Sequence, residues 1–268
     1  MVRIGLVGCG TIGSQLARDV QHRYPKTAKI IALHDVDPRH ARALQRRLTP
    51  RPAITSLSRL IQQSDLVVEA ASAAAAGPVA RAALRAHRSV FIMSVGGLLR
   101  DQDWRRLARR SRGRVYIPSG ALAGLDGVQA LAVGTIRSVS LTTRKPPRAF
   151  AGVPYVQRRR LRLEQLTRPT ILFEGSSSAA VRAFPQNTNV AAALTLASGM
   201  RPARVRVRVV ADPTIRVNVH EVDVQGDCGR IRCAVESRPS RNPKTSELAV
   251  RSATAALRRL FDPVRFGT

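Results

Sequence analysis

Near the N-terminus, Gly8, Gly10 and Gly13 stand in G-x-G-x-x-G spacing, with an apolar run ahead of them (Ile4, Leu6, Val7) and the helix-like stretch SQLARDVQHRY behind. This order reads strand, tight turn, helix. Gly8 permits the turn, Gly10 lets backbone approach a pyrophosphate, and Gly13 lets helix and strand pack closely. The first free N–H groups of the helix, around Thr11 and Ile12, face the phosphates with the positive end of the helix dipole. The next apolar run, residues 29–34, ends in Asp35, close to the ~20-residue offset at which an acid holds the adenosine ribose hydroxyls and repels a 2′-phosphate. The chemistry implied is dinucleotide binding, with NAD as the cofactor and NADP left open by the nearby Arg39.

A second group of residues is suited to moving a proton. Between residues 215 and 224 the apolar positions are 215, 217 and 219, then 222 and 224, so their parity flips. A bulge at His220-Glu221 accounts for the flip, and it puts Asn218 and His220 on the face opposite the apolar one, where a re-aimed imidazole serves as a base near neutrality. A polar-face histidine on an ordinary strand gives the same pattern. His22, His40 and His87 fall on arginine-rich helices, and His34 precedes the ribose acid. In the stretch FPQNTNV, Asn187 and Asn189 begin a small-residue helix, either as caps or as amides presented to a nicotinamide carboxamide. Arg144 and Lys145, before Pro146-Pro147 at a strand end, offer fixed cations for a carboxylate. Cys9, Cys228 and Cys233 match no zinc spacing, and no metal is called for.

These residues need elements to hold them. Up to Pro118, apolar strand-like runs alternate with helical stretches: residues 53–54, 66–72, 89–95 and 115–117 between helices that include one over 101–112 capped by Asp101. That alternation specifies an α/β Rossmann-type domain, a doubly wound parallel sheet with its ligand at the strand C-terminal ends. Gly8 to Gly13, Asp35, Ala71 and Ser72 all fall there. Beyond residue 118, strand-like runs at 138–143, 170–173, 205–210, 215–220 and 231–235 alternate as half-buried antiparallel strands do. Helices are expected at 161–167, 177–182 and 189–198, and a final one has Asn242 as N-cap and Pro243 at its first position. The expected division is 1–118 for the dinucleotide, 119–240 as an α+β catalytic and dimerisation domain, and 241–268 as a helix packing back on the first domain.

With 268 residues the chain is long enough for two ordinary domains. Its net charge of +28 comes almost wholly from arginine, since Lys26, Lys29, Lys145 and Lys244 are its four lysines. The arginines are spread over many segments and are not interleaved with aromatics, so non-specific attraction to polyanions is expected and specific nucleic-acid binding is not. No apolar run reaches 18 residues, and no basic stretch followed by an apolar core precedes the glycine turn. The expectation is a cytoplasmic protein with reduced thiols and no membrane segment.

Taken together, GCGTIG, VVEAAS, SVGGL, PSGALAGLDG, TTRKPP, FEGSS, FPQNTNVAAALTLA, NVHEV and ESRPSRNPKTSELA resemble, in order and spacing, the L-aspartate dehydrogenase family. The resemblance covers nearly the whole chain and implies NAD(P)-dependent oxidation of L-aspartate to iminoaspartate, or in reverse the reductive amination of oxaloacetate with ammonia. It also implies a homodimer with a Rossmann and an α+β domain, and a place in NAD biosynthesis. By the same resemblance the catalytic histidine is His220, and cofactor contacts fall on Ala123 and Asn189, with Ala121 and Asn187 one motif step away as the alternative. The two substrate carboxylates call for cations, with Lys145, Arg144 and Lys244 as candidates beside Asn218. The basic run QRRRLRLEQLTR departs from the family's pattern. The rival readings are a same-fold dehydrogenase for another amino or hydroxy acid, and a non-catalytic dinucleotide sensor.

Overall fold

The computed structural model describes residues 1–185, 188–240 and 246–264. By internal contacts the chain forms two units, residues 1–118 with 253–264, and residues 119–252.

In the first unit the elements run β1 Val2–Val7, α1 Thr11–Arg23, β2 Ala28–His34, α2 Pro38–Gln45, β3 Ala53–Ile54, α3 Leu57–Gln63, β4 Leu66–Glu69, α4 Ala73–Arg85, β5 Ser89–Ile92, α5 Gly96–Arg100, α6 Asp103–Arg110 and β6 Val115–Tyr116. The strands form one parallel sheet in the order β3-β2-β1-β4-β5-β6. Ile4, Leu6, Val67, Val68, Val90 and Phe91 are buried whichever face they occupy, which explains why the central strands read as unbroken apolar runs. The order reverses between β1 and β4, and the crevice outside their C-terminal ends is where such sheets bind ligands. The helix expected over 101–112 is α6, preceded by the short α5; its N-cap position is Gln102 rather than Asp101, whose carboxylate accepts the Asp103 N–H at 3.2 Å.

The second unit runs α7 Leu125–Leu131, β7 Ile136–Lys145, a 3-10 turn Pro147–Phe150, α8 Pro154–Arg158, a 3-10 turn Leu163–Gln165, β8 Thr170–Ser176, α9 Ser177–Ala183, α10 Asn189–Ala197, a 3-10 turn Pro202–Arg204, β9 Val205–Ala211, β10 Asn218–Gly226 and β11 Arg230–Ser237; α11 Glu247–Phe261 begins here. The helix expected over 161–167 is reduced to the turn at 163–165: Pro154 starts a helix earlier, which ends at Arg158, and the chain then turns through Arg160 with φ +52°. The strands form a five-stranded sheet, β11-β10-β7-β9-β8, that is mixed rather than antiparallel, since β7 and β9 run parallel. Asn242 and Pro243 lie outside the described residues. Further along α11, Ala253 and Leu257 join the core of the first unit.

Register sets the buried face of this sheet. Across β11, β10, β7 and β9 the first two rows are Ile231, Val224, Val139, Val205 and then Cys233, Val222, Leu141, Val207. The next row is Val235, His220, Thr143, Val209, and the last holds Ser237 beside Asn218, and Lys145 beside Ala211. Phe150, Phe184, Ala191 and Leu194 pack into the same core.

Candidate active site

In the first unit the candidate residues gather at the glycine turn. Gly8 has φ +93°, a conformation open to glycine, and a Cβ there would strike the Ala70 carbonyl. A Cβ on Gly13 would collide with the Gly8 carbonyl oxygen, so α1 packs against β1 only because residue 13 has no side chain. A Cβ built on Gly10 meets nothing within 4 Å, which is the open approach that a pyrophosphate requires. Thr11 is exposed and Ile12 partly so, at the N-terminus of α1. These features fit a dinucleotide.

Asp35 ends β2 next to this turn. Its Oδ2 accepts the Cys9 N–H at 2.6 Å and its Oδ1 accepts the Asp37 N–H at 2.9 Å, so the carboxylate clamps the glycine turn from the side. Each oxygen keeps a lone pair for a ribose hydroxyl. Asp37 caps α2 and pairs with Arg39 at 2.7 Å, and that guanidinium holds its carboxyl down at about 2. Burial beside Asp35 pushes the Cys9 thiol up to about 12, which leaves it a packing residue rather than a nucleophile.

Ala71 and Ser72, both exposed, follow β4, and their backbone is held by a buried acid that spacing alone did not single out. Glu69 Oε1 accepts the N–H groups of Ala71 at 2.8 Å and Ser72 at 3.1 Å, while Oε2 accepts the Ser94 N–H at 3.0 Å. One carboxylate thus ties together the loops after β4 and β5. Its signal was an acid inside an otherwise apolar strand, where burial raises its pKa and only hydrogen bonds offset the cost.

In the second unit the candidate residues lie on the five-stranded sheet. There is no bulge at His220-Glu221, because β10 pairs with β7 and β11 in unbroken register from Val219 to Gln225. The parity flips because the strand begins at Asn218, and residues 215–217 belong to the preceding loop. Asn218 and His220 therefore share the core-facing row of Val222 and Val224 rather than a polar face. Arg144 points the other way and pairs with Glu221 at 3.0 Å.

At one end of the buried face, then, two neighbouring strands turn from aliphatic to polar. Thr143 and Lys145 on β7 are 2% and 3% exposed, and Asn218 and His220 on β10 are 0% and 2% exposed. His220 Nδ1 lies 3.0 Å from Thr143 Oγ1. Burial, with the Lys145 charge adding to it, lowers the His220 pKa to about 3, and burial lowers Lys145 to about 8. Asn218 is fully buried, yet neither Oδ1 nor Nδ2 has a hydrogen-bond partner among the described residues. Such an orphaned amide costs roughly 1–3 kcal/mol unless a ligand satisfies it.

Other expected residues fall elsewhere in the second unit. Ala121 is buried, while Ala123 is exposed and its carbonyl accepts the Cys233 thiol at 3.3 Å. Asn189 is the exposed first residue of α10. Asn187 and Lys244 lie outside the described residues.

Comparison with known proteins bears on both units. A family model described as "Aspartate dehydrogenase, C-terminal" matches residues 126–260, and one described as "Homoserine dehydrogenase, NAD binding domain" matches residues 8–118. An L-aspartate dehydrogenase from Methanosarcina barkeri is 43% identical, with 100% of each chain covered. One from Bordetella bronchiseptica is 39% identical over 99% of this chain and 97% of its own. The crystal structure of aspartate dehydrogenase from Thermotoga maritima superposes with a TM-score of 0.76 at 25% identity, covering both chains fully.

Proposed function

Because this chain belongs to the L-aspartate dehydrogenase family, we propose that the polar end of its five-stranded sheet is where substrate is held and deprotonated, and that the glycine turn after β1 seats the dinucleotide. The protein is an NAD(P)-dependent oxidoreductase acting on the CH–NH2 group of L-aspartate. In that reaction a Cα–H bond breaks with both electrons leaving as hydride, a C=N bond forms, and one ammonium proton goes to a base. When bound, the dinucleotide supplies the hydride acceptor.

This chain's residues account for the rest. Gly8, Gly10, Thr11, Ile12 and Gly13 offer backbone and space to the pyrophosphate, Asp35 accepts the ribose hydroxyls, and Ala71 and Ser72 line the crevice. Ala121, Ala123 and Asn189 complete the cofactor contacts in this reading. His220 takes the ammonium proton on Nε2. With Nδ1–H donating to Thr143 Oγ1, the neutral imidazole keeps its lone pair on Nε2. Lys145 is the cation for a substrate carboxylate, and the Asn218 amide gains the partner it lacks. A homodimer, ammonia as the reverse co-substrate, a cytoplasmic location and iminoaspartate supplied to NAD biosynthesis belong to the same reading. Its support includes three unpaired thiols and the absence, among the described residues, of a helix long and apolar enough to cross a membrane.

The observation that carries this reading is the switch from aliphatic to polar in two paired rows at one sheet end. Replacing His220 by Ala tests it. The variant is expected to bind NADH as the parent does and to oxidise L-aspartate ~10²–10⁴-fold more slowly, the usual worth of general acid–base help. Turnover within a few-fold of the parent would remove His220 from the chemistry.

A further inference from the structure

Asn218 is the group in the polar rows that the fold itself does not use. It is 0% exposed, and its Oδ1 and Nδ2 have no hydrogen-bond partner among the described residues. The hydroxyls around it are committed elsewhere. Opposite it on β11, the Ser237 hydroxyl donates to the Arg238 carbonyl at 3.3 Å and accepts from the Ser246 hydroxyl at 3.0 Å and the Leu248 N–H at 3.2 Å. The Thr143 hydroxyl is bonded to His220. An aliphatic side chain, as in the rows of Val222 and Val224, would fill this place with no polar atom left unpaired. We propose that Asn218 holds the substrate's α-amino group, with Oδ1 accepting an amine N–H and Nδ2 donating to the neighbouring α-carboxylate. The inference rests on the function proposed above and deepens it by assigning the residue that tells an amino acid from other dicarboxylates.

Position and chemistry both carry it. Asn218 and His220 are alternate residues of β10 on one face, so their Cα atoms are about 6.6 Å apart and one small molecule can touch both. An α-amino acid carries donors on its nitrogen and acceptors on its carboxylate, joined through one carbon. A primary amide carries the complementary set, an acceptor oxygen and two N–H donors in one plane. It is also neutral, and that matters for the proton. A carboxylate at this position would stabilise the ammonium form, whereas an amide oxygen accepts from the ammonium and from the free amine alike. The amine can thus give up a proton to Nε2 of His220 without losing its hold on Asn218. The approach to this end of the sheet suits an anion. Just beyond the ends of β7 and β10, Pro146, Pro147, Arg148, Pro213, Ile215 and Arg216 line a cavity of about 380 Å³, and both arginines are exposed.

Succinate is the comparison ligand, since it has both carboxylates of L-aspartate and no amine. The experiment measures the dissociation constant of the full-length protein for each by calorimetry at neutral pH, with NADH present so that no oxidation occurs. The parent is expected to bind L-aspartate about tenfold or more tightly than succinate. In Asn218→Leu, L-aspartate is expected to lose that advantage and to bind about as succinate does. Its kcat/KM for L-aspartate should fall about a hundredfold or more, while its urea midpoint equals or exceeds the parent's, because an unpaired amide has left the core. A group that served only the fold would instead lower the midpoint and weaken both ligands alike.

Equal affinity of the parent for the two ligands overturns the proposal, and that measurement needs no variant. So does an Asn218→Leu protein that keeps the parent's preference for L-aspartate, or one whose urea midpoint falls below the parent's. A parent that forms no NADH from L-aspartate would instead defeat the functional reading itself, whereas failure of the Asn218 assignment leaves that turnover in place.

Discussion

A lysine with 3% exposure is charged at neutral pH only at the expense of folding. Burial holds the Lys145 pKa near 8 against the ordinary 10.5, so below pH 8 both folded and unfolded chains carry the proton and the penalty is fully present. It is relieved as pH rises from 8 through 10.5, where the unfolded chain still binds a proton that the folded one has lost. Lys145→Met should therefore be more stable than the parent at pH 7, by at most about 3 kcal/mol, with the gap closing near pH 10.5. Urea unfolding at both pH values checks this, and a gap independent of pH would mean that the ammonium is solvated. Asp35 carries a second prediction at this scale. Replacing it by Ala removes the charge that repels a 2′-phosphate and also frees the Cys9 and Asp37 N–H groups. NADH affinity should fall, and the ratio of NADPH to NADH affinity should rise by roughly tenfold or more, equivalent to ~1.4 kcal/mol. An unchanged ratio would take Asp35 out of cofactor choice.

At the scale of elements, Glu69 shows how a strand end organises its loops. Glutamine in its place keeps one acceptor oxygen and turns an NH2 group toward backbone N–H donors. Glu69→Gln is expected to lose about 1–3 kcal/mol of stability, read as a lower urea midpoint, and to weaken NADH binding along with it. An unchanged midpoint would mean that the loops hold themselves. The parallel sheet was legible in the sequence because strands covered on both faces read as unbroken apolar runs, and glycine spacing located the turn. The second unit was less so. Parity across residues 215–224 was counted as though all of them were strand, whereas the chain enters β10 only at Asn218, and this put Asn218 and His220 on the wrong face. Thr143 was missed as the imidazole's partner because pairing of β7 with β10 joins residues 77 apart. Reading Val139, Leu141, Thr143, Lys145 as one row would have shown the aliphatic-to-polar switch. The parallel β7–β9 pair was hidden for a similar reason, since strand direction is set by the crossover through β8, α9 and α10 rather than by local alternation.

For the whole molecule, the net charge of +28 is only lightly offset within the fold. Arg3 with Asp65, Arg208 with Glu174, and Arg230 and Arg232 with Asp223 are solvent-screened surface pairs of the kind that contribute little to stability. The excess of arginine acts outward instead, as a field that draws in anions and weakens with salt. A dicarboxylate substrate and a pyrophosphate cofactor are both anions, so this field favours their encounter but does not choose between them. On the proposed reading, choice falls to the buried corner around Lys145, Asn218 and His220. The most direct measurement is therefore the rate of NADH formation by the parent protein with L-aspartate and, separately, with L-asparagine, L-glutamate and L-alanine. L-Aspartate should be oxidised fastest, about a hundredfold or more ahead of L-asparagine, whose neutral amide forfeits a charge pair of ~2–3 kcal/mol. No NADH from L-aspartate, or an equal rate with L-asparagine, would contradict the account.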